Sequence, residues 1–124
     1  MKLKVHLEAA KAHFKVAEEF DNKLNKETDT DLRVAWRVVA SQNYFYSIIN
    51  AIESVFTDKL EEHSFSHENR MRKLLENRSL FDQEIIELYE EVDRNLRNKV
   101  AYRGENGDKY KTIKKLANLL KEKW

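Results

Sequence analysis

The residues of this chain with the greatest capacity for chemistry lie close together near its end. Arg97 can donate two parallel hydrogen bonds to a phosphate, Asn98 offers an amide, and Tyr102 offers a phenol. Asp93 precedes Arg97 by four residues, so on a helix its carboxylate can hold the guanidinium in one orientation. An ordinary surface ion pair, worth less than about 1 kcal/mol, has the same spacing. We interpret the set as a phosphate site, with Asp93 and Arg103 in supporting roles.

The spacing of these residues restricts how they can meet. Arg97 and Tyr102 are separated by roughly 140° around a regular helix. They converge only if the helix tightens or unwinds near Ala101, which the following Gly104 favours. Alternatively, Asn98 and Tyr102 share one face, and Arg97 meets its counterpart from another subunit. The sequence leaves both arrangements open.

The charge of the chain is unevenly distributed. Residues 1–93 carry 13 Lys and Arg against 19 Asp and Glu, whereas residues 94–124 carry 10 against 3. A basic terminal quarter is typical of a phosphate-binding surface, and we assign Lys99, Lys109 and Lys111 to it. The same charge can instead dock on the acidic part of a second chain, or cover a solvated helix face.

The composition predicts an all-α fold. Proline is absent, there are only two glycines, and no alternating strand pattern is present. We expect one domain over residues 1–124, folded as an antiparallel up-and-down bundle of four main helices plus a short helix. The expected helices are Leu3–Leu24, Asp31–Thr57, a short His67–Asn77, one opened by Ser79 or Asp82 and ended by Gly104 and Gly107, and one capped by Asp108.

Individual side chains within these helices are also assigned. Thr28 with Asp31, or Thr30 alone, is expected to cap the second helix. His6 and His13 are expected to face solvent, and the short helix to turn Met71, Leu74 and Leu75 inward. The second helix is apolar nearly all round, which favours a central position or a subunit interface, and therefore a homodimer.

Several classes of protein are disfavoured. Without cysteine there is no disulfide, thiolate metal site or cysteine nucleophile. His63 and His67 are spaced as metal ligands only if the loop between them is helical, so we expect neither a metal nor a cofactor. No apolar run reaches membrane-spanning length, and the start of the chain lacks a signal peptide, so we expect a cytoplasmic protein.

Four segments together resemble the HEPN family of small prokaryotic helical proteins, over roughly residues 5–120. They are the helix containing Leu7-Glu8-Ala9-Ala10-Lys11, the segment Tyr44-Phe45-Tyr46-Ser47-Ile48-Ile49-Asn50-Ala51, the pair Ser66-His67, and Arg97-Asn98-Lys99-Val100-Ala101-Tyr102. The resemblance implies a dimer with both polar motifs in one cleft. It also implies metal-independent RNA cleavage by a toxin that a minimal nucleotidyltransferase partner neutralises.

The chain departs from the family at one position of the motif. The family motif has an arginine, a polar residue, several variable residues and a histidine; Arg97 and Asn98 match, but Tyr102 stands in the histidine's place. A phenol with a pKa of about 10 exchanges protons poorly near neutral pH. Three interpretations stay open: a ribonuclease, a protein that binds RNA or nucleotide without turnover, and a dimeric module without a ligand.

Overall fold

The computed structural model describes residues 2–96 and 107–124, and all the regular structure in these ranges is helical. The helices are α1 (Leu3–Lys26), α2 (Thr30–Leu60), α3 (His67–Glu76), a 3-10 turn (Arg78–Leu80), α4 (Gln83–Leu96) and α5 (Gly107–Lys121). The expected all-α class is confirmed for this part of the chain, while the up-and-down order of the main helices stays a prediction. None of these helices combines the length and apolarity needed to cross a membrane.

Helix α1 starts at Leu3 and α3 at His67, as expected, whereas two of the predicted helix caps were wrong. Ser66 caps α3, as expected, by accepting a hydrogen bond from the backbone N–H three residues on. The cap of α2 is Asp29, so the prediction of Thr28 or Thr30 was wrong; Thr30 is already helical, and the aspartate accepts the free N–H. Asp108 lies inside α5 rather than ahead of it, so its predicted capping role was also wrong.

Helices α1 and α2 form the most extensive helix pair of the described fold. Three hydrogen bonds along it join His6 to Asn50, Ala10 to Ser47 and His13 to Asn43. Residue numbers fall on α2 as they rise on α1, so these two helices run antiparallel. The inner face of α2 then supplies several of the largest side chains of the core, among them Tyr44, Ile48, Ile52 and Phe56.

Two predictions about burial were wrong. His6 is buried and His13 half-buried, because both imidazoles turn toward α2 and hydrogen-bond to asparagine amides there. On α3, Leu74 is fully buried but Leu75 is 36% exposed. Neighbouring helical residues point about 100° apart, so the short α3 cannot bury both leucines against one core.

The basic helix α5 is attached to α1 by a largely buried polar cluster. The Tyr110 hydroxyl donates to Asp21 Oδ1 at 2.7 Å, and Lys114 Nζ lies 2.7 Å from Asp21 Oδ2. Burial raises the pKa of Tyr110, and the hydrogen bond to the Asp21 carboxylate and its charge raise it further. One carboxylate therefore satisfies two donors from α5.

We expect Asp21→Ala to lower the free energy of unfolding by about 2–3 kcal/mol, because it removes a charged acceptor and leaves the buried Tyr110 hydroxyl without a partner. Urea unfolding followed by circular dichroism measures the change. Glu19→Ala removes an exposed carboxylate from the same helix and serves as the control, with an expected change within about 0.5 kcal/mol. Equal effects of the two substitutions would contradict the role given to Asp21.

Helix α2 is buried unevenly along its 31 residues. Its buried positions begin at Ala40. Residues 30–39 contain no buried side chain, although they include Leu32, Val34, Trp36, Val38 and Val39. Leu32 is 41% exposed and the valines are half-buried, whereas Trp36 packs against Phe20 and the core.

Candidate functional site at the α3–α4 groove

Most residues of the predicted site lie outside the described ranges. They are Arg97, Asn98, Lys99, Tyr102 and Arg103. Three members are described: Asp93 on α4, and Lys109 and Lys111 on α5. The geometry available for the site is therefore that of α4 up to Leu96 and of the surfaces beside it.

The last turns of α4 lie against the first turns of α3. Arg70 neighbours Tyr89, and Met71 shares a surface pocket with Glu90 and Asp93. An open groove of about 420 Å³ follows this contact, and we call it the α3–α4 groove. Its lining residues are Glu68, Met71, Arg72, Leu75, Glu76 and Asp93.

The lining of the α3–α4 groove is acidic around an apolar floor. Three carboxylates face one guanidinium, while Met71 and Leu75 supply the apolar contacts. Asp93 is half-buried and makes no hydrogen bond or ion pair with any other residue of the two described ranges. Such a lining suits a guanidinium or ammonium group and repels phosphate. This setting fits the predicted role of Asp93 as a partner for a cation.

A buried ion pair connects the helices beneath this groove. Arg70 Nε donates to Glu53 Oε2 at 2.9 Å, and the backbone N–H of Ser64 donates to Glu53 Oε1 at 2.7 Å. Burial alone raises the pKa of Glu53, but the hydrogen bonds from Ser64 and Arg70 and the Arg70 charge hold this pKa below its ordinary value. Glu53 is therefore a carboxylate that fixes α2, α3 and the loop between them.

Tyr89 of α4 is buried against the same guanidinium. Its hydroxyl lies near Arg70 but has no hydrogen-bond partner of good geometry among the described residues. Burial raises the pKa of Tyr89 to about 12, although the Arg70 charge acts in the opposite direction. Arg70 thus forms an ion pair with Glu53 of α2, and its charge also lies beside the Tyr89 hydroxyl of α4.

His67, at the start of α3, is held in one tautomer. Arg70 Nη1 lies 3.0 Å from His67 Nδ1, and a guanidinium has no acceptor, so Nδ1 must accept the hydrogen bond. The imidazole is then neutral with its proton on Nε2. The sequence indicated that Ser66 starts a helix here, but it held no signal that the His67 ring would lie beside Phe45 of α2.

The lysines of α5 are not equally available to a phosphate. Lys114 is bound to Asp21, and Lys115 Nζ lies 3.0 Å from Glu84 Oε1. Of the two lysines assigned to phosphate binding, Lys111 is exposed and Lys109 is half-buried. The phosphate-binding role of both stays a prediction, and Lys111 has the better access to solvent.

The described residues include no metal-binding cluster of three or more side chains, and no similar protein is found that would indicate the function of the groove. Within residues 2–96 and 107–124, no group of three or more His, Cys, Asp and Glu side chains is arranged to hold a metal ion. Comparison of the chain with protein-family models, with curated proteins and with solved structures finds no match in any of the three. The resemblance to the HEPN family therefore stays a hypothesis that depends on the four sequence segments alone.

Proposed function

We propose that this protein is a HEPN-like, toxin-type endoribonuclease that acts as a homodimer and cleaves single-stranded RNA without a metal ion. Arg97, Asn98 and Tyr102 of each subunit line the cleft between the subunits. The observation that carries the proposal is the position of Asp93. It lies four residues before Arg97, on an open, carboxylate-lined surface suited to holding a guanidinium.

The proposed chemistry is transfer of the phosphate ester to the neighbouring ribose oxygen. The 2′-hydroxyl attacks phosphorus, its proton passes to water, and the bond from phosphorus to the 5′-oxygen breaks to leave a 2′,3′-cyclic phosphate. Arg97 stabilises the charge on the phosphate oxygens, and Asn98 orients the strand. Tyr102 gives a proton to the departing 5′-oxygen and regains one from water.

Two features support the dimer. The first third of α2 leaves Leu32 exposed and Val34, Val38 and Val39 only half-buried, and apolar side chains of this kind are available to a subunit interface. The acidic part of the chain and its basic end are also complementary between two copies. The proposal includes the up-and-down bundle, a cytoplasmic location, and a minimal nucleotidyltransferase-like protein as the neutralising partner.

Cleavage of single-stranded RNA in the presence of EDTA tests the proposal. We expect cleavage by the wild type, about a hundredfold less by Arg97→Ala, and more by Tyr102→His, because histidine transfers protons near neutral pH. Arg94→Ala removes an exposed arginine that pairs only with Glu90 in the described structure, and it should retain activity. Wild-type cleavage that survives Arg97→Ala would exclude this site.

The acidic α3–α4 groove favours a second candidate, a non-catalytic module that binds a basic protein partner. In this case, neither the wild type nor Tyr102→His cleaves RNA. Glu68→Lys and Glu76→Lys reverse two charges of the groove and should weaken binding of a nucleotidyltransferase-like partner, measured by calorimetry. If both variants bind the partner as the wild type does, the groove is not its site.

A further inference from the structure

The first observation concerns the hydrogen bond that orients His6. Asn50 Nδ2 donates to the Tyr46 carbonyl at 2.9 Å, which turns Asn50 Oδ1 toward the imidazole. His6 Nδ1 lies 3.1 Å from this oxygen and must donate to it. The proton of the neutral ring is therefore on Nδ1, and the lone pair is on Nε2.

The second observation is that this lone pair is buried without a partner. His6 is only 2% exposed, and Nε2 has no hydrogen-bond partner among the residues described. A buried acceptor left in this state destabilises the fold. Such a group gains more than an exposed one from any ligand that accepts its electron pair.

The third observation is a second imidazole beside the first. His63, in the connection after α2, is exposed, and its ring centre lies 4.9 Å from that of His6 with the ring planes inclined by 26°. Zn²⁺ binds imidazole nitrogen at about 2.0–2.1 Å, so two rings on one tetrahedral ion have their centres roughly 5 Å apart. The separation of the rings is therefore that of two ligands on one metal ion, but the rings are stacked, so the exposed His63 must rotate before both rings can direct a nitrogen to the same ion.

We propose that His6 and His63 together bind one divalent transition-metal ion of the class that prefers imidazole, namely Zn²⁺, Ni²⁺ or Cu²⁺. His6 is the fixed ligand, with Asn50 accepting its other N–H, which is the usual support of a metal-bound histidine. His63 is exposed and turns its nitrogen toward the ion, and water completes the coordination. This site is separate from the proposed ribonuclease residues and does not depend on them.

The chain contains its own control for this proposal. His13 makes the same arrangement one heptad later: its Nδ1 lies 3.0 Å from Asn43 Oδ1, and Asn43 Nδ2 donates to a backbone carbonyl. The ring beside it, however, belongs to Tyr46, with centres 5.2 Å apart. An asparagine amide therefore orients His13 in the same way as a different asparagine orients His6. No second imidazole lies beside His13, however.

Titration of the full chain with ZnCl₂ by calorimetry, together with electron paramagnetic resonance of the Cu²⁺ form, tests the site. We expect one ion per chain and nitrogen splitting from two imidazoles. His63→Ala should weaken Zn²⁺ binding at least tenfold and reduce the splitting to that of one imidazole, whereas His13→Ala should bind as the wild type does. Because His63 is exposed, its removal should leave the circular dichroism spectrum unchanged.

Three results would overturn the proposal. The first is equal affinity of the wild type and His63→Ala for Zn²⁺. The second is the same loss of affinity in His13→Ala, which would mean that surface histidines bind the ion without selectivity. The third is a wild type that does not bind Zn²⁺ measurably. Since none of these measurements involves RNA, they leave the proposed ribonuclease activity to its own test.

Discussion

Arg70→Ala should lower the free energy of unfolding by about 3–5 kcal/mol, because it leaves the Glu53 carboxylate buried without its counter-charge. Both side chains are nearly inaccessible, with exposures of 9% and 1%. The substitution also removes the hydrogen bond to His67 and the charge beside Tyr89. A loss of this size is a large share of the total stability of a small domain, so a marked fall in the urea midpoint is expected.

Urea unfolding followed by circular dichroism measures this loss, and two variants control it. Arg72→Ala removes an exposed arginine from the same helix and should change stability by less than about 0.5 kcal/mol. Glu53→Met combined with Arg70→Met removes both charges at similar volume and should be less destabilising than Arg70→Ala alone. If Arg70→Ala and Arg72→Ala cost the same, the buried pair does not hold the helices together.

The pair also determines how stability changes toward acid pH. The pKa of Glu53 is lower in the folded protein than in the unfolded chain, so the folded state favours the ionised carboxylate. This contribution is fully present above the unfolded pKa of about 4.3 and is lost as pH falls through the folded value. The difference between the wild type and Arg70→Ala should therefore shrink below about pH 4.

The helices are the part of this fold that sequence reasoning predicts well. The apolar residues Phe81, Ile85 and Val92 follow a helical period, and the structure buries all three on or just before α4. The same pattern fails to identify Tyr89, which is also buried. Periodicity identifies one face of a helix, whereas the number of neighbouring helices determines how wide the buried face becomes.

Contacts between helices are the part that sequence reasoning misses. Asp93 was found because its proposed partner lies four residues away, on the same helix. Glu53 and Arg70 are on different helices, as are the orienting asparagines and their histidines, so their pairing depends on how the helices cross. Pattern analysis also assigns charged residues to the solvent side. The signal available for Glu53 was its place between two core residues of α2.

The pairing of His6 with His63 was also not predicted from the sequence. The two residues are separated by most of α1 and all of α2, and they meet only because these helices run antiparallel. The prediction that His6 faces solvent came from its position one heptad before His13 on a helix expected to lie at the surface. The asparagines of α2 at the matching spacing were the missed signal, since Asn43 and Asn50 are one heptad apart, like His13 and His6.

Raising the pH from 10 to 11 should lower the free energy of unfolding by about 3 kcal/mol, because three tyrosines are buried with their hydroxyls protonated. They are Tyr44, Tyr89 and Tyr110. Burial raises the pKa of Tyr89 to about 12. It raises the pKa of Tyr44 and Tyr110 as well, with the Asp21 charge adding to the effect at both.

The sign follows from proton binding in the two states. Above the unfolded pKa of about 10, a tyrosine of the unfolded chain releases its proton, while the folded protein keeps it. The stabilisation is complete well below pH 10 and declines by about 1 kcal/mol for each such group between pH 10 and 11. Three groups together give the expected loss of about 3 kcal/mol, until the pH approaches the pKa of Tyr89.

Urea unfolding at pH 8, 10, 10.5 and 11 measures the slope of stability against pH, and phenolate absorbance reports whether the buried rings ionise only on unfolding. Tyr110→Phe removes one of the three groups and should reduce the slope above pH 10 by about a third, whatever it does to stability at pH 8. A slope that Tyr110→Phe leaves unchanged would mean that Tyr110 ionises as readily in the folded protein as in the unfolded chain. In that case, the hydrogen bond from the Tyr110 hydroxyl to Asp21 does not hold α5 against α1.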